Sequence, residues 1–172
     1  MRLVNLEDLA PDFELPDLEG RLVSLGHHRG RIVIVNFWSC ECPHVERTDR
    51  LLMTWHQRWG RQVSLLPVAS NAMETLDAMV AAARKRQLPR VLVDQQHRIA
   101  DVYEASTTPH VFVVDAMGRV RYRGAVDDTS FARRVPTRFF LEEAVDALLE
   151  GRIPRVAETQ PYGCAIVRDA LE

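Results

Sequence analysis

The chain has 172 residues, 47% of them hydrophobic and 27% charged, with a formal net charge of −2 at pH 7. That length suits one domain with a sizeable core, and the composition is that of a soluble globular protein. The near-neutral balance gives no basis for nucleic-acid binding by bulk electrostatics, and no apolar segment approaches the roughly 20 residues that span a bilayer.

The N-terminus, Met1-Arg2-Leu3-Val4-Asn5-Leu6-Glu7-Asp8, carries acids early and lacks an apolar h-region, so it does not read as a secretory signal. The expected location is the cytoplasm, where three cysteines point to catalytic, redox-sensing or metal roles rather than a disulfide framework. Pro11 to Leu25 reads as a hairpin around an Asp/Gly turn. Arg31 to Trp38 is an apolar run expected to form a strand buried on both faces. Pro43 to Trp59 places Val45, Leu51, Leu52, Trp55 and Trp59 among charges, an amphipathic helix stopped by Gly60. Val63 to Ala69 reads as a second central strand, Met73 to Gln87 as a helix ended before Pro89, and Arg90 to Asp94 as a short strand. A short helix over Ile99 to Glu104 follows. His110 to Asp115 and Arg119 to Arg123 form a hairpin across Ala116-Met117-Gly118. Thr137 to Gly151 is a closing helix, and Arg152 to Glu172 is a tail of little periodicity. The order implies an α/β domain over 1–151, a central mixed sheet with helices on both faces and an N-terminal hairpin. The tail, 152–172, packs on the same domain.

The chemistry concentrates at Asn36-Phe37-Trp38-Ser39-Cys40-Glu41-Cys42-Pro43-His44. Here a strand hands over to a helix that begins near Pro43. A thiol at a helix N-terminus faces unpaired backbone N–H groups and the positive end of the helix dipole, which favours the thiolate. The thiolate is the nucleophile in disulfide exchange and in attack on peroxides. Glu41 opposes this, since a neighbouring carboxylate raises a thiol pKa. The reading requires the Cys42 sulfur to be reachable.

These segments resemble the thioredoxin-fold redoxins, the group of alkyl hydroperoxide reductase/thiol-specific antioxidant proteins and TlpA-like thiol-disulfide oxidoreductases. The resemblance runs from about Ala10 to Gly151. It rests on Ala-Pro-Asp-Phe-x-Leu-Pro-Asp-x-x-Gly over 10–20, on Asn36-Phe37-Trp38 leading to Cys42-Pro43, and on Thr108-Pro109 before Val111-Phe112-Val113-Val114-Asp115. Gly118 and Tyr122-Arg123-Gly124-Ala125 complete it, and Gly163-Cys164-Ala165-Ile166 resembles the ending of a cytosolic redoxin branch. The resemblance implies a thioredoxin-like fold and thiol redox activity. It implies a cis Pro109 beside the reactive sulfur, leaving the Thr108 backbone to pair with an extended substrate chain. It also implies an aromatic lip at Trp38 and a regenerating reductant of thioredoxin type.

The departures from the family pattern are informative. The second cysteine of a Cys-x-x-Cys pair would fall at Val45 and is missing, so Cys164 or Cys40 remains as resolving thiol. A Cys-x-Cys disulfide closes a small, strained ring, whereas Cys164 is free of that limit if the tail folds back. Peroxiredoxin-type sites have a hydroxyl three residues before the cysteine, which Ser39 supplies, but their proline position is Val35 and their activating arginine falls at Pro109. The leading expectation is a thiol-disulfide oxidoreductase with Cys42 as nucleophile, tuned by Ser39 and His44, acting on a protein or small-molecule disulfide. The alternatives are a peroxiredoxin-like thiol peroxidase and a metal carrier using Cys40, Cys42 and His44. No organic cofactor is implied, because the thiol pair holds both electrons, and neither a nucleic acid nor a membrane is an expected partner.

Overall fold

The computed structural model of the protein describes residues 4–170. In chain order it contains β1 (Glu14–Pro16), β2 (Leu22–Ser24), β3 (Ile32–Trp38), α1 (Pro43–Trp59), β4 (Val63–Ala69), α2 (Leu76–Lys85) and β5 (Leu92–Val93). Then follow α3 (Arg98–Val102), β6 (Thr107–Thr108), β7 (His110–Val114), β8 (Val120–Gly124), α4 (Phe140–Leu149) and β9 (Cys164–Ala165).

Five strands form the central sheet in the order β5-β4-β3-β7-β8. β3 pairs parallel with β4, and β4 with β5, while β7 is antiparallel to both β3 and β8. Every residue of β3 and β4 is buried, as continuous Val/Ile/Leu runs covered on both faces require. The N-terminal hairpin is a separate sheet of β1 and β2. Its turn is held by Asp17, whose carboxylate accepts from the backbone N–H of Glu19 and Arg21 and from Arg21 Nε.

Side-chain alternation along β3 divides the core. Val33, Val35 and Phe37 pack with Phe13, Leu15, Tyr103 and Phe112 under the hairpin and α3. Ile32 and Ile34 face Leu52, Trp55 and Trp59 of α1 and Leu141, Ala144 and Val145 of α4. A third cluster sits at the end of β3, where Trp38, Cys42 and Val45 meet Met79 and Ala83 of α2. Burying each such large side chain contributes about 1.5–3 kcal/mol, so α1 is anchored along its length and its first turn is fixed at the C-terminal end of β3.

Several boundaries differ from the sequence expectation. α2 starts at Leu76 rather than Met73, because Thr75 Oγ1 caps it by accepting from Ala78 N at 3.2 Å and Met73 has a left-handed φ of 74°. α4 starts at Phe140 rather than Thr137, since Thr137 instead donates its N–H and hydroxyl to Asp128. The tail carries a strand. β9 pairs antiparallel with β6, Cys164 opposite Thr108 and Ala165 opposite Thr107. Upstream, Arg123 N donates to Ala157 O at 3.0 Å and Thr159 N to Arg123 O at 3.1 Å. This close approach requires glycine at 124, where a Cβ would lie 2.3 Å from Thr159 O.

Candidate active site

β3 ends at Trp38 and α1 begins at Pro43, so residues 39–42 form the connecting loop at the C-terminal end of the central strand. Cys42 is the N-cap of α1, in extended conformation (φ −81°, ψ 119°), with Pro43 in the first turn, where the missing N–H costs nothing. Its side chain makes no capping bond, and the sulfur is directed elsewhere. Cys42 Sγ lies 3.2 Å from Thr108 O and 2.6 Å from Cys164 Sγ. The Thr108–Pro109 peptide bond is cis. Both cysteines are free thiols, and their separation exceeds the ~2.05 Å of a disulfide by only about 0.5 Å.

Cys42 is 3% exposed. Sequence reasoning requires a reachable sulfur, but the tail strand and the Thr108 carbonyl close over it. Cys164 is partly exposed and is the more open of the two. Burial and the adjacent Cys42 sulfur push the Cys164 thiol up to about 12.

Cys40 occupies a different environment. Its backbone N–H donates to Glu74 Oε2 at 3.3 Å, and burial together with Glu74 and Glu41 pushes its thiol up to about 12. Ser39 does not serve Cys42. Its hydroxyl makes a short hydrogen bond to Glu74 Oε1, and it also accepts from Glu41 N and Asn71 Nδ2. His44 packs edge-on against Tyr162, ring centroids 5.0 Å apart, and does not hydrogen-bond the sulfur. Trp38 is not a lip. It is fully buried, donates Nε1–H to Asp49 Oδ2 at 2.9 Å and lies beneath the Arg86 guanidinium, 5.5 Å from its ring centroid.

The metal alternative fails on geometry. Cys40 faces Glu74, Cys42 faces Cys164 and His44 faces Tyr162. Among the described residues no three His, Cys, Asp or Glu side chains converge on a metal-sized site.

Three residues absent from the sequence reading build the site. Arg86 donates to Cys40 O at 2.7 Å, Ser39 O at 3.4 Å and Asp49 Oδ2 at 3.2 Å, clamping the loop from below. Glu74 clamps it from the side. Tyr162 bridges His44 to Phe131, which is 88% exposed, at a centroid distance of 5.7 Å. Only Tyr162 had a local signal, standing two residues before Cys164.

A relative called thiol-disulfide oxidoreductase ResA from Geobacillus thermodenitrificans is 29% identical over 112 residues, covering 65% of this chain and 64% of its own. This chain therefore spans less than two thirds of that relative. A hypothetical protein from Sinorhizobium meliloti superposes with a TM-score of 0.88 at 29% identity, covering 98% of this chain and 97% of its own. An uncharacterized conserved protein from Geobacillus kaustophilus gives 0.89 at 25% identity, with coverages of 99% and 95%. Both extend the likeness through the tail that carries Cys164. Residues 6–123 match the AhpC/TSA family model, and that span runs from ahead of the hairpin through the cysteine loop and the cis proline to β8. The chain belongs to the AhpC/TSA family.

Proposed function

We propose that the protein is a thiol-disulfide oxidoreductase with Cys42 as nucleophile and Cys164 as resolving thiol. The observation that carries this is the pair of free sulfurs 2.6 Å apart at the N-terminus of α1, beside the Thr108 carbonyl. The name shared by the ResA relatives supports it. Burial and neighbouring groups push the Cys40 and Cys164 thiols up to about 12, which disfavours both as the first attacking thiolate. Cys42 alone of the three sits at a helix N-terminus, where peptide dipoles stabilise negative charge.

Cys42 thiolate attacks one sulfur of a substrate disulfide, forming a mixed disulfide and expelling the other half as thiolate. The Cys164 sulfur, losing its proton, attacks Cys42 Sγ, closes the Cys42–Cys164 disulfide and expels the second half. The substrate gains two electrons, which a dithiol reductant of thioredoxin type then restores to the protein. The reaction belongs in the cytoplasm, where such reductants keep thiols reduced.

A peroxidase needs a cation to hold the peroxide and the developing charge. Arg86, which reaches the cysteine loop, is engaged with Ser39 O, Cys40 O and Asp49, and the Ser39 hydroxyl is engaged with Glu74. The site geometry thus favours disulfide exchange.

The test is a single turnover of the reduced chain with oxidised glutathione, read by mass. The expected products are two released glutathione thiols and a Cys42–Cys164 disulfide. Cys164→Ser should stop at glutathionylated Cys42. Undiminished consumption of oxidised glutathione by Cys42→Ser would refute the assignment.

A further inference from the structure

The backbone edge of β6 is already occupied. Cys164 and Ala165 fill it as β9, and Ile166 N continues the run by donating to Ser106 O at 3.0 Å. Ile166 is buried in the main core. Val167 is gripped on both sides: its N–H donates to Asn71 Oδ1 at 2.7 Å, and its carbonyl accepts from Ala72 N at 2.8 Å. Arg168 reaches Asp101 at 2.7 Å and Ala105 O at 3.0 Å. Gly163 crosses the Thr108 carbonyl so closely that a Cβ there would lie 2.0 Å from Thr108 O. The seat therefore selects an extended chain with glycine immediately before cysteine and an aliphatic side chain two residues after it.

The same seat controls access to Cys42. With β9 in place Cys42 is 3% exposed, and its sulfur lies against Thr108 O and Cys164 Sγ. A folded protein disulfide has no path to it. The seat also reaches the neighbouring loop, because Asn71, which holds Val167, donates to Glu74 Oε1 at 3.1 Å, and Glu74 holds Ser39 and Cys40. Between this seat and the upstream anchor at Thr159 lie only Gln160, Pro161 and Tyr162, so residues 163–168, together with the Asp169 contact to His97 that follows them, can leave while the Thr159 anchor stays.

We propose that residues 163–168 are a built-in substrate mimic that closes Cys42, and that partner chains gain access by displacing them with an extended Gly-Cys-x-aliphatic segment of their own. This deepens the disulfide-exchange reading and rests on it for the identity of the partner, a protein whose reactive cysteine follows a glycine. The recognition mode is strand addition to an exposed sheet edge, in which main-chain bonds supply affinity and side-chain pockets supply specificity.

The gate is tested independently of turnover. In the full chain carrying Cys164→Ala, Cys42 alkylation by N-ethylmaleimide is followed by peptide mass with Gly163→Val and with Ile166→Ser. An added Cβ or a lost apolar anchor shifts the local opening equilibrium, so alkylation should accelerate about tenfold or more in each. Far-UV circular dichroism and core amide exchange check that each variant stays folded. A labelled peptide of residues 161–168, with serine at the cysteine position, should bind the Gly163→Val chain, and its glycine-to-alanine version should bind about tenfold more weakly or worse. Cys42 that is alkylated equally fast with and without these substitutions in folded protein overturns the gate. A peptide that binds without preference for glycine overturns the specificity. If the gate opens as described while oxidised glutathione is not consumed, it is the exchange reading that fails.

Discussion

Closing the Cys42–Cys164 disulfide should stabilise the protein strongly. The two cysteines are 122 positions apart, and the chain-entropy relation for a loop of that size gives about 5 kcal/mol at 25 °C. The flanking backbone is already paired to β6, which holds the two cysteines side by side. At roughly 2–4 °C per kcal/mol for a chain of this size, the oxidised form should melt roughly 10–20 °C above the reduced form. By the same cycle the disulfide should be about 100 mV harder to reduce in the folded than in the unfolded chain. Differential scanning calorimetry of oxidised and reduced protein, with Cys164→Ser in both buffers as control, reads the effect directly. Oxidised and reduced forms melting within about 2 °C of each other would refute the reasoning, as would an equal shift in the control.

Other outcomes follow from buried polar groups. Asn36 is fully buried in β3, and neither its amide nitrogen nor its amide oxygen has a hydrogen-bond partner among the described residues. Asn36→Leu should therefore raise stability by about 1–3 kcal/mol in urea unfolding, and a loss of stability would contradict this. Burial lowers the His110 pKa to about 4, so the unfolded chain binds a proton that the native one refuses between about pH 6.5 and 4. Its contribution is fully present above that window. Stability should fall by up to ~3 kcal/mol as pH drops through the window, and His110→Phe should flatten that slope. Glu74→Gln removes a carboxylate that holds the Cys40 thiol protonated, so alkylation of Cys40 should quicken several-fold at pH 8 while far-UV dichroism stays unchanged. An unchanged rate would remove Glu74 from the account.

Much of the architecture is legible from local chemistry. The apolar run from Ile32, the Pro43 start and the Gly60 stop locate β3 and α1, because burial on both faces, a first-turn proline and a left-handed glycine (φ 64°) each leave a local mark. The beginning of α2 is not legible. Residues 73–75 read as helical by composition, yet Glu74 is held by Ser39 and Cys40, from a loop distant in sequence. β9 escapes for a similar reason, being a two-residue strand that exists only because Thr107 and Thr108 lie beside it. Cys42 stands out by its place before Pro43, and the Gly163-Cys164 ending marks the tail. What no periodicity displays is how the tail seals Cys42, or how Arg86 and Asp49 brace the loop beneath it. Those contacts join residues brought together only by the finished sheet.

The pairing of the sulfurs tests the central claim most directly. The full chain is equilibrated in glutathione buffers of defined ratio, quenched in acid and mapped by mass. A single internal disulfide joining Cys42 to Cys164, with Cys40 free throughout, is the predicted result. A Cys40–Cys42 disulfide, or a stable oxygen adduct on Cys42 with Cys164 still a free thiol, would contradict it.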